Sequence, residues 1–227
     1  MRIGVFGGTF DPIHWGHLIL AEQCREQRRL DKVLFVPAGE PPHKSPEQIT
    51  PGKLRREMVE LAIAGNPAFE ASDVELARSG PSYTADTLTE LRSKYPGDEL
   101  FLLIGSDSLT ELAEWREPAK IAELATLVVV IRPGAPLVDV RGLEGVLTAE
   151  QLGRLGENVV EMPLVGISAT DLRRRVFAGK SIRYLVPRAV EMFVQTHGLY
   201  RSAESAEGPD EPRRHGDTER GDIKDQG

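Results

Sequence analysis

The chain has 227 residues, a formal net charge of −7 at pH 7 and a hydrophobic fraction of 40%. These values are typical of a globular protein with one core. No apolar run approaches the ~20 residues of a membrane span, the N-terminus enters a strand pattern rather than a signal peptide, and no dense basic patch is present. We therefore expect a cytoplasmic protein without a membrane or nucleic-acid partner. The sequence leaves its oligomeric state open.

Short runs of β-forming residues alternate with helical patterns up to residue 201. In chain order they predict strand 2–6, helix 18–29, strand 32–36, helix 52–64, strand 69–76, helix 84–94, strand 100–104, one or two helical segments, strand 127–131, strand 159–162, and helices 170–178 and 187–196. Cys24, the only cysteine, falls in the first helix and is expected to be at least half-buried. The alternation predicts an α/β fold, a Rossmann-like doubly wound parallel sheet that binds ligands at the carboxyl ends of its strands.

Residues 202–227 differ in composition from the rest of the chain. They contain eight acidic residues, four basic residues and one large aliphatic residue, Ile223. Such a segment buries too little apolar surface to offset the entropy lost on ordering. We therefore predict one domain, residues 1–201, followed by a disordered tail, residues 202–227.

The sequence GGTFDPIHWGHL, residues 7–18, lies between the first strand and the first helix. A glycine turn between a strand and a helix start presents backbone N–H groups and the positive end of the helix dipole at one place, which attracts phosphate. His14 and His17 are three residues apart, so they project onto one face. The combination indicates chemistry on a nucleoside triphosphate.

Other interpretations of this turn are weaker. The glycines do not form the G-x-G-x-x-G dinucleotide motif, and no lysine follows them as in a P-loop. Zinc would need two further ligands, which no nearby residue supplies at suitable spacing. The adjacent glycines argue for close backbone approach to a ligand, against histidines that only pack or cap a helix. Both the zinc site and the structural role stay open here.

The tetrad His14-Trp15-Gly16-His17 resembles the H-x-G-H signature of a nucleotidyltransferase superfamily that includes class I aminoacyl-tRNA synthetases. The longer form G-G-T-F-D-P-x-H-x-G-H resembles the bacterial nicotinate-nucleotide adenylyltransferase family, and further matches extend over residues 2–200. The resemblance implies transfer of an adenylyl group from ATP to nicotinate mononucleotide, with Mg²⁺ held mainly by the ATP phosphates and no protein ligand. It implies catalytic roles for His14 and His17 and ATP contacts for Gly7, Gly8, Thr9 and Phe10.

Two further segments carry cations that suit a triphosphate. Lys44 stands in the loop PPHK, where prolines stiffen the chain; alternatively it is a solvated surface lysine. Ser168 begins ISATDLR with the signature of a helix N-cap, yet Arg173 in the same turn opposes the helix dipole unless an anion lies there. The resemblance places Lys44 near the phosphates and matches the second segment to I-S-S-T-x-[IL]-R. It thereby implies phosphate contacts for Ser168, Thr170 and Arg173, with Ala169 in place of the second serine.

Other candidate nucleotide contacts follow predicted strands. Gly105 and Asp107 follow strand 100–104, and Asp107 either binds a ribose hydroxyl or adenine amine or caps the next helix. Arg132 ends strand 127–131 in an R-P-G sequence. The resemblance to the family's G-x-D and R-P-G segments places all three residues on the ATP side.

Three residues are candidates for the acceptor pocket. An indole beside a helix N-terminus suits a flat ring that carries a carboxylate, although Trp115 is also a candidate core residue. The family patterns S-Y-T-x-x-T-L and L-x-x-W match here and imply that Tyr83, Thr84 and Trp115 bind nicotinate. Arg116 is a further candidate for the carboxylate.

Three other classes of protein share part of this pattern. Phosphopantetheine adenylyltransferases and cytidylyltransferases are sister enzymes, but they lack the S-Y-T-x-x-T-L and L-x-x-W pair. A tRNA synthetase needs a second, lysine signature and a longer chain. A non-catalytic nucleotide-binding regulator is disfavoured because His17 and Arg173 are both present. The degree of discrimination between nicotinate and nicotinamide is not determined by the sequence.

Overall fold

The computed structural model describes residues 1–41, 49–131 and 140–201. Strands and helices alternate along these ranges, as the sequence pattern predicts. The strands are β1 Arg2–Gly8, β2 Lys32–Pro37, β3 Phe69–Ala71, β4 Glu99–Gly105, β5 Thr126–Ile131 and β6 Val159–Glu161. The α-helices are α1 Trp15–Gln27, α2 Gly52–Ile63, α3 Thr84–Lys94, α4 Ser106–Thr110, α5 Pro118–Leu124, α6 Ala149–Glu157, α7 Ala169–Phe177 and α8 Arg188–Thr196.

Within the described ranges the strands form one six-stranded sheet in the order β3-β2-β1-β4-β5-β6. Every neighbouring pair is parallel, and Val5 of β1 lies between Leu34 of β2 and Leu102 of β4. The chain first builds the sheet outward from β1 through β2 and β3, and then continues on the other side with β4. The predicted doubly wound fold is confirmed, and its switch point lies between β1 and β4.

The strands are apolar on both faces because helices cover both sides of the sheet. Along β4, Phe101 and Leu103 pack into one buried cluster, together with α1, α2, α7 and α8. Leu100, Leu102 and Ile104 point the other way, into a cluster that includes α3 and α5. The period of two along the strand thus divides its side chains between two cores.

Most element boundaries lie within two residues of the sequence prediction, and two differ by more. α1 begins at Trp15, not at residue 18, because Gly16 and His17 interrupt the apolar pattern although they are helical. β3 ends at Ala71, since the chain turns at Asp73, whose carbonyl accepts the Ala77 N–H. Helix α6 was not predicted.

A capping box at its start gives a sequence signal for α6. The Gln151 N–H donates to Thr148 Oγ1, and the Thr148 N–H donates to Gln151 Oε1. The T-x-x-Q spacing of these two residues is the usual signature of such a box, so the helix could have been predicted from it.

Cys24 is fully buried, as expected, and burial raises the pKa of its thiol to about 12. No helix in the part of the chain that the structure describes is long and apolar enough to cross a bilayer.

Candidate active site

A pocket of about 250 Å³ opens at the carboxyl ends of β1, β2 and β4, at the switch point of the sheet. Gly7 and Gly8 from β1 and Gly105 from β4 form part of its wall. A Cβ atom built on Gly7 or Gly105 meets nothing within 4 Å, so both backbones face open space. Here the strand ends expose backbone to a ligand, as the sequence analysis expected.

His14 and His17 lie together at the start of α1. Their rings stack with centroids 3.7 Å apart and an interplanar angle of 23°. His14 is the N-cap residue of α1, and its backbone N–H donates to His17 Nδ1 at 3.3 Å. The edge of the His17 ring packs on Phe10, with centroids 5.1 Å apart. The two imidazoles therefore form one rigid pair beside the glycine turn.

His14 holds an unusual buried atom. Its side chain is buried, and Nδ1 has no hydrogen-bond partner among the described residues. Gly16 makes room for this ring, because a Cβ atom at Gly16 would lie 3.0 Å from His14 Nδ1. A buried polar atom without a hydrogen-bond partner lowers the stability of the folded protein. The position of the His14 ring is therefore better explained by a functional role than by stability.

Burial makes both histidines neutral at physiological pH. It lowers the pKa of His14 from 6.5 to about 4. Burial, followed by repulsion from His14, lowers the pKa of His17 well below 6.5. The pair therefore offers neutral imidazole groups at pH 7 when no ligand is bound.

The segment at the start of α7 reaches the same loop. Ser168 is the N-cap of α7, and its Oγ accepts the Asp171 N–H at 3.2 Å, so the helix-cap interpretation of this serine is confirmed. Arg173 Nη1 donates to the backbone carbonyl of Asp11 at 2.7 Å, and Nη2 donates to Thr170 Oγ1 at 3.4 Å. The fold thus brings together two segments that are about 160 residues apart in sequence.

Two of the three candidate acceptor residues lie at the pocket beside the glycine turn. Thr84 and Trp115 both line the pocket that contains Gly7 and Gly8. Tyr83 is the N-cap residue of α3, and its side chain makes no capping hydrogen bond. The Arg116 guanidinium lies 4.7 Å from the Tyr83 ring centroid and pairs with Asp86 at 3.4 Å. Trp115 is half-buried and also packs against the core cluster beneath α3.

In the segment after β4, the interpretation of Asp107 as a helix cap is wrong. Gly105, not Asp107, is the N-cap residue of α4, and Asp107 lies exposed in the first turn without capping the helix. Ser108 lines the pocket beside Gly105. Two other candidates, Lys44 and Arg132, lie outside the described residues.

Several residues of the site were missed by the sequence analysis. Asp11 is 3% exposed and Arg55 only 1% exposed. Arg55 donates to the backbone carbonyls of Thr9 at 2.8 Å, Ala38 at 2.6 Å and Thr50 at 2.7 Å. In sequence Arg55 stands beside Arg56 in a charged helix, where nothing marks it as buried.

A third buried residue, Glu75, lines the pocket and was also missed. Thr87 Oγ1 donates to Glu75 Oε1 at 2.7 Å, and this bond joins α3 to the segment that precedes it. No sequence signal pairs these two residues, since they meet only through the fold.

Comparisons with known proteins agree with this geometry. A cytidylyltransferase-like family model matches residues 5–175. A Thermomicrobium roseum protein named probable nicotinate-nucleotide adenylyltransferase is 49% identical over 215 residues, which cover 95% of this chain and 99% of the relative. A Thermus thermophilus protein of the same name is 50% identical over 201 residues, covering 88% of this chain and 100% of the relative. The chain belongs to the nicotinate-nucleotide adenylyltransferase family.

Solved structures of the Plasmodium falciparum nicotinic acid mononucleotide adenylyltransferase share the fold of this nicotinate-nucleotide adenylyltransferase family member. The complex with NaAD superposes with a TM-score of 0.66 at 16% identity, covering 88% of this chain and 97% of the other. The complex with APC gives a TM-score of 0.64 at 15% identity, covering 88% and 96%. At such identity the likeness concerns the fold alone. Family and fold together confirm the resemblance first seen in residues 7–18.

Proposed function

We propose that the chain transfers the adenylyl group of ATP to nicotinate mononucleotide, which yields deamido-NAD (nicotinate adenine dinucleotide) and pyrophosphate in NAD biosynthesis. The observation that carries the proposal is the bond from Arg173 to the Asp11 carbonyl. It joins the α7 segment to the glycine and histidine turn at the sheet switch point. Groups suited to anion binding, from the first turn of the chain and from α7, thereby lie next to each other at the switch point of the sheet.

The reaction suits a site with neutral histidines. The attacking atom is a phosphate oxygen of the mononucleotide, whose second pKa is about 6, so it is mostly ionised at neutral pH. It attacks the α-phosphorus of ATP, a new P–O bond forms, and the bond to the leaving pyrophosphate breaks. No general base is needed. The site must instead hold two polyanions in line and stabilise charge on the leaving group.

Our assignment of roles follows from that demand. His14 and His17 would donate to the α-phosphate and its neighbour, and the buried, unpartnered Nδ1 of His14 fits a site completed by ligand. Lys44 and Arg173 would contact the triphosphate. The remaining ATP contacts would come from backbone and side-chain donors at Gly7, Gly8, Thr9, Phe10, Gly105, Asp107, Arg132, Ser168 and Thr170.

The acceptor would lie on the Trp115 side of the glycine turn. We assign the indole of Trp115 to stacking on the nicotinate ring and the N-terminus of α3, at Tyr83 and Thr84, to its carboxylate. The support is that Thr84 and Trp115 line one pocket with Gly7 and Gly8. Arg116, held over the Tyr83 ring, adds positive charge at the rim.

Magnesium would accompany ATP and neutralise phosphate charge. The described residues contain no group of three or more His, Cys, Asp or Glu side chains that could hold a metal ion. Magnesium usually keeps several waters and binds substrate phosphates. We therefore assign its ligands to the triphosphate and water rather than to a protein cage.

The proposal also covers the domain organisation and the cellular location of the protein. We propose that residues 1–201 form a single catalytic domain and that residues 202–227, which lie outside the described ranges, are a tail without a role in the reaction. The proposed location is the cytoplasm, where both small-molecule substrates occur.

The direct test is product analysis. The purified chain is incubated with ATP, Mg²⁺ and nicotinate mononucleotide, and deamido-NAD and pyrophosphate are quantified by chromatography and a coupled assay. Parallel reactions with phosphopantetheine as acceptor, and with CTP in place of ATP, test the sister activities. We expect equimolar deamido-NAD and pyrophosphate only with the first pair. Turnover with phosphopantetheine or CTP alone would reject the proposal.

A further inference from the structure

Tyr200 connects the end of the described chain to the phosphate-binding turn. It lies just beyond α8, and its hydroxyl donates to Asp11 Oδ1 at 2.5 Å, across 189 residues of sequence. Its backbone has φ = +64°, in the left-handed region that non-glycine residues rarely adopt. A strained tyrosine with an anchored hydroxyl indicates that its position is required.

Asp11 is held from both its side chain and its backbone. Oδ1 accepts the Tyr200 hydroxyl, and Oδ2 accepts the Thr50 N–H at 3.2 Å. The carbonyl of Asp11 accepts Arg173 Nη1 at 2.7 Å. Since Asp11 is 3% exposed, it has little freedom to move in response to the ligand. The Asp11 carbonyl therefore holds Nη1 of the Arg173 guanidinium in place by the shorter of its two bonds.

We propose that Tyr200 is a positioning residue for triphosphate binding, acting through Asp11 on Arg173. This inference rests on the function proposed above. Part of the affinity of the protein for ATP would then come from Tyr200, which acts without touching the substrate. Without the hydroxyl, the one bond to the Asp11 carboxylate left among the described residues is the Thr50 N–H. The peptide of Asp11 can then shift, and the guanidinium shifts with its carbonyl.

The tyrosine hydroxyl is suited to this task because it stays protonated. Burial, and the negative charge of Asp11, raise the pKa of Tyr200. The hydroxyl is therefore a permanent donor to the carboxylate. A neutral donor also leaves the positive charge of Arg173 available for phosphate, whereas a lysine or arginine at this place would compete with it.

The test is Tyr200→Phe in the full chain, with steady-state kinetics for each substrate. We expect the KM for ATP to rise about tenfold, the effect of roughly one lost hydrogen bond, and the KM for nicotinate mononucleotide to change less than twofold. Leu199→Ala is the matched control, since Leu199 packs on the core next to Tyr200 in sequence and its side chain has no group that could donate to Asp11. The control should lower the melting temperature and leave both KM values unchanged.

A double-mutant cycle distinguishes positioning from general destabilisation. ATP affinity is measured by calorimetry for Arg173→Lys in the wild-type and Tyr200→Phe backgrounds. If Tyr200 acts through Arg173, the loss caused by Arg173→Lys is several-fold smaller in the Tyr200→Phe background. Equal losses in both backgrounds, or equal rises in both KM values of Tyr200→Phe, overturn the inference.

If Tyr200→Phe fails to fold, Asp11→Asn replaces it in the same experiments, with the same expected rise in the KM for ATP. A wild-type chain without adenylyl transfer refutes the proposed function itself. An active wild type with an unaffected Tyr200→Phe variant refutes only the role of Tyr200.

Discussion

Replacing His14 by glutamine should change how the stability of the protein depends on pH. The pKa of His14 is about 4 in the folded chain because the ring is buried, compared with 6.5 for an exposed histidine. Between these two values the unfolded chain binds more protons than the folded chain, so acid destabilises the fold. The stabilisation is fully present above pH 6.5 and is lost as the pH falls from 6.5 to 4.

The difference between the two pKa values, 6.5 and about 4, sets how much unfolding free energy is lost in acid. At about 1.4 kcal/mol for each pH unit, His14 accounts for about 2 kcal/mol of lost stability at pH 5 and roughly 3 kcal/mol at pH 4. The assay is urea unfolding of the wild type and His14→Gln at pH 7, 6, 5 and 4.5. Carboxylates titrate in both proteins, so the difference between the two curves isolates the histidine. A difference that stays constant from pH 7 to pH 4.5 would refute the claim that burial keeps His14 neutral.

Three further predictions concern other parts of the chain. His17→Ala should lower kcat by about 10²–10³, the usual effect of losing one transition-state donor. The control, His197→Ala, lies at the exposed end of α8 and should leave kcat unchanged. Equal rates in both variants would contradict the role of His17. Arg55→Met should reduce the free energy of unfolding by at least roughly 3 kcal/mol, because four backbone carbonyls, that of Gly39 included, lose their donor. Arg56→Met, which removes only half-exposed ion pairs, should cost less than about 1 kcal/mol, and equal losses in urea titrations oppose this account. Deleting residues 202–227 should leave the melting temperature and kcat unchanged, since their composition lacks core-forming residues; a fall of several degrees would show that they pack on the domain.

The sequence predicted the parts of the fold that follow from local periodicity. The alternation of strands and helices, and the apolar run of β4, led to a parallel doubly wound sheet, which the strand order confirms. Boundaries were wrong where function overrides periodicity, as at the start of α1, where Gly16 makes space for His14. The helix α6 could have been predicted from the T-x-x-Q box at Thr148, which the sequence offers.

The candidate site was predictable only as far as its motifs extend. Residues 7–18 and 168–173 were singled out because glycine turns and cations at helix starts have a chemical explanation. Arg55 and Tyr200 carry no such signal, because each acts through contacts with distant backbone or side-chain atoms. Arg55 bonds two loops at once, those that follow β1 and β2, and Tyr200 contacts Asp11 across 189 residues. Such long-range polar contacts require the three-dimensional structure.

The claim that most needs testing is that the pocket beside Trp115 receives a nicotinate carboxylate. If the proposed assignment holds, a carboxylate would satisfy the N–H groups at the start of α3, whereas the amide NH₂ would leave one of these donors without a partner, at a cost of roughly 1–3 kcal/mol. Trp115→Ala should lower kcat/KM for both nicotinate mononucleotide and nicotinamide mononucleotide, because the stacking on the indole is lost. The acid should still be preferred.

The most direct measurement is kcat/KM of the wild-type chain for nicotinate mononucleotide and for nicotinamide mononucleotide under identical ATP and Mg²⁺. We predict that the acid is used at least about tenfold more efficiently than the amide, the ratio that one unsatisfied donor produces. Equal efficiencies, or a preference for the amide, would contradict the assignment of the pocket at Thr84 and Trp115.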